Sequence, residues 1–272
     1  MQLIFKRLST LFTVLLCSTL LISNTHSLPQ SSLVPGGIAV IPLQDAKETQ
    51  PQAFYNKKPI AVIQHNQTWF AVAGLKLSTK TGEHFIVSQG KRYPFTVTDK
   101  QYEEQHITLK TRKHIDLSEA DLKRHRGEKK RAQAVFKVFE NTPMDLSFIK
   151  PVDGPYSSPF GLKRFFNGEP RNPHSGLDIA APTGTPILSP SRGKVVLTGD
   201  FFFNGNAVYV DHGQGLISMF CHLSEIEVEI GDTLKKGQPI GKVGATGRVT
   251  GPHLHWSVSL NNARIDPMLL LP

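Results

Sequence analysis

Apolar runs in this chain are short, and glycine or proline cuts nearly every one of them, a punctuation that disfavours long helices over most of its length. Beyond Phe148 the breaks fall at Pro151-Val-Asp-Gly-Pro155, Pro182-Thr-Gly184, Gly213-Gln-Gly215, Gly231-Asp232, Lys236-Gly237, Gly244 and Gly247. Between them lie strand-like stretches at 194–198, 207–210, 216–221, 239–243 and 253–259, which predict an antiparallel β domain. Earlier runs at 37–42, 60–63, 68–73, 83–87, 93–97 and 106–109 are separated by Pro35-Gly-Gly37, Lys80-Thr-Gly82 and Gln89-Gly90. Their brevity and spacing predict a small β-sandwich.

One segment breaks the pattern. Ser118-Glu-Ala-Asp121 has the spacing of a helix capping box, and the stretch from Leu122 to about Glu140 holds no proline and only Gly127 as a breaker. A linking helix is expected, with Leu122, Ala132, Val135, Phe136 and Phe139 as a thin apolar stripe. Lys123, Arg124, Arg126, Lys129, Lys130 and Arg131 make the rest basic, read as the solvated face of a connector. The expected architecture is mainly β: a leader at 1–27, a β-rich unit at 28–115, the linking helix within 116–147, and a second β unit at 148–272.

The leader carries Lys6 and Arg7, then an apolar run from Leu11 to Ile22, and no acidic residue precedes Asp45. This is the signal-peptide pattern, with Thr25 and Ser27 as small residues at the cleavage positions. The run falls short of the roughly 20 residues that span a bilayer. Leu16 stands where a lipoprotein signal wants a small residue, so Cys17 is not read as a lipidation site. Export to the periplasm or cell envelope is the expected localisation, with membrane anchoring as the alternative if the leader is not cleaved. Without the leader, 29 basic and 22 acidic residues give +7, and Cys221 is left alone, so no intrachain disulfide can form. The basic excess suits an anionic polymer or surface, and export argues against nucleic acid.

Five of the eleven histidines, His174, His212, His222, His253 and His255, stand in the carboxy-terminal unit. On a strand, the side chains of His253 and His255 point the same way, roughly 6.5 to 7 Å apart along the backbone. His174-Ser-Gly-Leu-Asp178 lets an imidazole and a carboxylate converge if the chain bends at Gly176, and His, His and Asp are a ligand set that zinc accepts. Each motif alone is weak: two strand histidines are often surface residues, and an Asp near a His is often only a hydrogen-bond partner. His222 ends an apolar strand. His212, in Val-Asp-His-Gly, reads as a hairpin-turn residue, and His65, His84, His106, His114 and His125 read as surface residues.

Taken together and in order, His174-Ser-Gly-Leu-Asp178, Gly205-Asn-Ala-Val-Tyr-Val-Asp-His-Gly213, His222-Leu-Ser224, Gly231-Asp-Thr-Leu-Lys-Lys-Gly-Gln-Pro-Ile-Gly241 and Gly247 through His255 resemble the lysostaphin-type (LytM-like) zinc metallopeptidases that cut peptidoglycan. The resemblance covers about 148–272. Upstream, Val34-Pro-Gly-Gly-Ile-Ala-Val-Ile-Pro-Leu43 resembles the β-rich amino-terminal domain of some exported members. The resemblance implies a duplicated-hybrid-motif fold, a Zn2+ cofactor held by His174, Asp178 and His255, and catalytic roles for His222 and His253. It implies an endopeptidase acting on cross-links or stem peptides of peptidoglycan in wall remodelling. Zinc lowers the pKa of a water to about 7 and polarises a carbonyl, while imidazoles can take the proton and stabilise the oxyanion. Which of His222 and His253 does which is left open. A metal-binding regulator of other wall enzymes is the alternative, and all five positions being filled argues against it. The 231–241 stretch also resembles carrier domains, which the leader and Asp178 argue against. Cys221 departs from the family pattern and is expected to pack beside the site.

Overall fold

The computed structural model describes residues 28–44, 49–108 and 118–272. The leader with Cys17, His114 and the 115/116 boundary lie outside these residues. The architecture is mainly β, as expected.

The first unit contains β1 (Ile38–Pro42), β2 (Ala53–Tyr55), β3 (Lys58–His65), β4 (Thr68–Gly74), β5 (Gly82–Ser88) and β6 (Lys91–Val97), paired antiparallel in the order β1-β4-β3-β2-β5-β6. The first residues of β3, 58–60, pair with β2, whereas 61–65 pair with β4. One strand therefore serves both halves, and Ala39, Tyr55, Val62, Ala71, Ile86 and Phe95 fill the core between them. Three hairpins turn on two residues with positive φ, Asn56-Lys57, Asn66-Gln67 and Gln89-Gly90, the backbone sense that matches strand twist.

The second unit begins with β7 (Glu104–Ile107) and α1 (Glu119–Val135), followed by β8 (Tyr156–Ser158), β9 (Lys163–Phe166), β10 (Glu169–Pro170), β11 (Leu177–Ala180) and β12 (Pro186–Leu188). It continues through β13 (Gly193–Phe201), β14 (Gly205–Asp211), β15 (Leu216–Ile226), β16 (Thr233–Leu234), β17 (Pro239–Val243), β18 (His253–Leu260) and β19 (Ala263–Ile265). The main antiparallel sheet runs β16-β13-β14-β15-β18-β11-β8, with β17 on β15 and β19 on β18. β7 pairs in parallel with β9, which also pairs with β10.

Alternation along the central strands sorts the two faces. Phe220, Leu254, Trp256, Val258, Leu177 and Ile179 point into the main core, together with Phe148 and Leu146. Ile38, Ala61, Ile63 and Val72 of the first unit belong to the same cluster, so the two units share a core. Gly74 permits that approach, because a Cβ there would lie 2.6 Å from the Leu260 carbonyl oxygen. Its N–H donates to Asn261 Oδ1 at 2.9 Å, and the Val62 N–H donates to Gln214 Oε1 at 2.9 Å.

On the opposite face, Ala207, Tyr209, Ile217, Met219 and Cys221 are covered by Phe136, Ala132 and Val135 from α1 and its C-cap. Ser118 caps the helix as expected, its Oγ accepting from Asp121 N at 3.1 Å. Two expectations are corrected. The helix stops at Val135 rather than near Glu140, because the chain must leave this face and deliver Met144, Leu146 and Phe148 to the main core. Leu122 is exposed, so the apolar stripe starts at Ala132.

Candidate metal centre

β11 lies between β18 and β8, and its register sets Asp178 opposite both His255 and Ser158. Leu177 and Trp256 turn into the core, which sends Asp178 and His255 together to the other face. His174 arrives from the segment before β11, fixed where its N–H donates to the Leu162 carbonyl. His174 Nε2 lies 3.1 Å from Asp178 Oδ1 and 3.0 Å from His255 Nδ1, and His255 Nδ1 lies 2.8 Å from Asp178 Oδ1. The three donor atoms fall within 4.8 Å of one another.

The surroundings fit this trio to a divalent cation. His174 Nδ1–H donates to the Pro159 carbonyl at 2.8 Å, so its Nε2 lone pair faces Asp178 Oδ1 and His255 Nδ1. One proton on His255 Nδ1 serves only one of these two acceptors, whereas a bound cation satisfies all three donor atoms. Gly176 makes the room: a Cβ there would meet His255 Cε1 at 2.6 Å and Nε2 at 2.7 Å. Burial works to raise the Asp178 pKa, but the two imidazoles beside it outweigh burial and hold the carboxyl well below its usual range, as an anion.

His222 and His253 stand beside the trio. Their ring centroids are 4.9 Å apart, and His222 is 6.1 Å from His255. Simple alternation would not place His222 here, because Cys221 is the residue opposite His255. His222 has φ of 68°, a left-handed kink at a register shift in β15, and this re-aims its ring. Its Nδ1–H donates to the Thr246 carbonyl at 3.0 Å and that of His253 to the Gly251 carbonyl at 2.9 Å, so each presents Nε2. Burial and the neighbouring His255 push the His222 pKa down to about 4, which keeps it neutral.

The peptidase family M23 profile matches residues 172–267, and the profile of the M23 N-terminal domain matches residues 31–100. A crystal structure from Pseudomonas aeruginosa, assigned to peptidase M23, is 44% identical and superposes with a TM-score of 0.76, covering 89% of this chain and 96% of that one. The chain belongs to peptidase family M23. Among curated relatives, the peptidoglycan DD-endopeptidase ShyA of Vibrio cholerae is 40% identical over 121 residues, 43% of this chain and 28% of ShyA. The DD-carboxypeptidase/endopeptidase Mpg of Neisseria meningitidis is 38% identical over 112 residues, 41% of this chain and 26% of Mpg. The chain thus spans under a third of the length of these two relatives.

All five site residues named from the sequence of this M23 chain come together. His212 does not: it is buried on the core side, with Nδ1–H donating to the Arg192 carbonyl at 2.7 Å and Nε2 accepting from Ser218 Oγ at 2.8 Å. Burial pushes its pKa down to about 4. Cys221 is fully buried, and burial drives its thiol far up, away from reactivity.

Sequence reasoning missed the walls of the groove. Arg164 on β9 donates to Ser158 Oγ at 2.9 Å and lies 4.0 Å from Asp178 Oδ2. The opposite wall is α1, so His125 is not a bystander; it stands edge-on to Phe203 and lines a cavity of about 620 Å3 with His174 and His255. Glu128, buried, locks this wall in place by accepting from Phe202 N at 2.9 Å and Arg124 Nε at 2.7 Å. A helix with so faint an apolar stripe carries no sequence signal for which face of a sheet it will cover.

Proposed function

We propose that this M23 chain is an exported zinc metalloendopeptidase that hydrolyses peptide bonds in the cross-links or stem peptides of peptidoglycan. The observation that carries the reading is the convergence of His174, Asp178 and His255 with two further imidazoles, both presenting Nε2, beside a cavity lined by His174 and His255. His174 Nε2, Asp178 Oδ1 and His255 Nδ1 would hold the zinc. Bound there, zinc supplies Lewis acidity, which acidifies a water and polarises a carbonyl.

The protein's own groups then manage protons. His222, neutral and with its lone pair exposed, accepts the proton of the attacking water. His253, whose Nε2 stands 3.9 Å from Asp178 Oδ1, would donate to the developing oxyanion. The buried site keeps both imidazoles oriented through the carbonyls of Thr246 and Gly251. The basic surface suits an anionic wall polymer, and the endopeptidase names of ShyA and Mpg support the substrate class. The leader pattern supports export.

Purified sacculi incubated with the chain, with chelator, and with zinc restored after chelation test the reading. Soluble peptide-containing fragments are expected in the first and third arms only. No fragments from any wall type, with one zinc bound per chain, would replace the enzyme with a wall-binding regulator.

A further inference from the structure

Arg264 stands on β19 opposite Ser259 of β18, which puts it on the same face as His255. Its guanidinium carbon lies 3.6 Å from the centre of the Phe136 ring, and Tyr209 shares the cavity it lines with His174 and His255. Burial draws its pKa down to about 10, so it stays cationic at neutral pH. Of the other arginines that line or flank this cavity, Arg124 bonds Glu128 and Asp200, and Arg164 bonds Ser158. Among the described residues, no carboxylate or carbonyl pairs with the five N–H donors of Arg264. The guanidinium is half-buried and stacked on Phe136, which leaves its N–H groups open to a ligand in the cavity.

Tyr209 beside Arg264 has its Oη sealed from solvent, so it serves as wall and not as a donor to a ligand. An unpaired guanidinium in the groove calls for an acceptor with more than one oxygen, and its planar fork matches a carboxylate. Glu128, which lines the same cavity, cannot supply one, because its carboxylate is committed to Phe202 N and Arg124.

We propose that Arg264 forms a carboxylate-recognition subsite in the groove, which selects peptides carrying a free carboxylate near the bond to be cut. The inference rests on the peptidase reading for its substrate, but the subsite is testable without turnover. Arg264 is a specificity residue: it touches substrate away from the reacting carbonyl and acts on KM more than on kcat.

The test uses a cross-linked peptide dimer released from sacculi and the same dimer with all its carboxylates amidated. On the zinc-loaded chain, amidation is expected to raise KM by ~10-fold or more with little change in kcat. Arg264→Gln should show the same loss on the free acid and no further loss on amidation, with Arg264→Lys between the two. Binding of both dimers to chelator-treated protein, where no metal can hold a carboxylate, should show the same preference in the wild type and none in Arg264→Gln. If neither dimer is cut, the peptidase reading fails, while the binding arm still judges the subsite. Equal binding of acid and amide by the wild type, or an undiminished preference in Arg264→Gln or Arg264→Lys, overturns the proposal. Melting curves establish that each variant is folded, and if the Gln variant is not, the wild type and the Lys variant decide.

Discussion

Replacing Gly176 with alanine tests whether the His174, Asp178 and His255 cluster is built to hold a metal. The new Cβ would sit 2.6 Å from His255 Cε1, 2.7 Å from His255 Nε2 and 2.8 Å from the Trp256 carbonyl oxygen, against an ordinary contact of 3.4–4 Å. Gly176 is not among the glycines with positive φ, so the whole effect comes from these contacts rather than from the backbone. Trp256 is held opposite Leu177 in the β11–β18 ladder, so the Gly176 backbone must draw back from the Trp256 carbonyl while the imidazole gives way at its ring. The imidazole must move by several tenths of an ångström, more than the ~0.2 Å tolerance of a metal–ligand distance.

Zinc affinity should fall ~10- to 100-fold, the range for disturbing the support of a ligand, and overpacking should cost about 1–3 kcal/mol of stability. A competition titration against a chromophoric chelator reads the first, and thermal melts with and without zinc read the second. Wild-type zinc affinity with a lowered melting temperature would refute the view that Gly176 exists to seat His255 as a ligand.

His222→Ala should keep one zinc per chain while lowering turnover ~10²- to 10⁴-fold, read by metal analysis beside a peptide-release assay; loss of zinc would move His222 from chemistry to coordination. His212 gives a pH signature of its own. Its folded pKa of about 4 lies below the unfolded value of about 6.5, so the unfolded chain takes up the proton first. Its contribution is full above pH 6.5 and is lost as pH falls towards 4, about 3 kcal/mol in all. Denaturant melts of His212→Asn should show a shallower loss over that window, and an unchanged slope would contradict the buried neutral state.

Much of the site was legible in the sequence because its local motifs fall in register. His253 and His255 share a face through strand alternation, and the Ser118 cap is local chemistry. What could not be read is non-local. The pairing of Asp178 with His255 depends on β11 finding β18, and 177–180 shows no strand pattern before it is paired. The three residues of β2 are too few to carry a period. His222 would face away from the metal ligands by simple alternation, and only the left-handed kink at that residue, imposed by the bulged β15, turns it towards them. The place of α1 over the groove rests on Glu128 accepting a backbone N–H from a distant turn, a contact with no sequence spacing behind it.

Cleavage of wall peptide bonds through the His174, Asp178 and His255 cluster is read most directly by mass spectrometry of a purified cross-linked peptide dimer. The dimer is incubated with the zinc-loaded chain, beside Asp178→Asn. Two products are expected whose masses sum to the dimer plus one water, with a new amine and a new carboxylate at one peptide bond, and no such products from Asp178→Asn. An intact dimer with the zinc-loaded wild type, or equal cleavage by Asp178→Asn, would contradict this reading of the site.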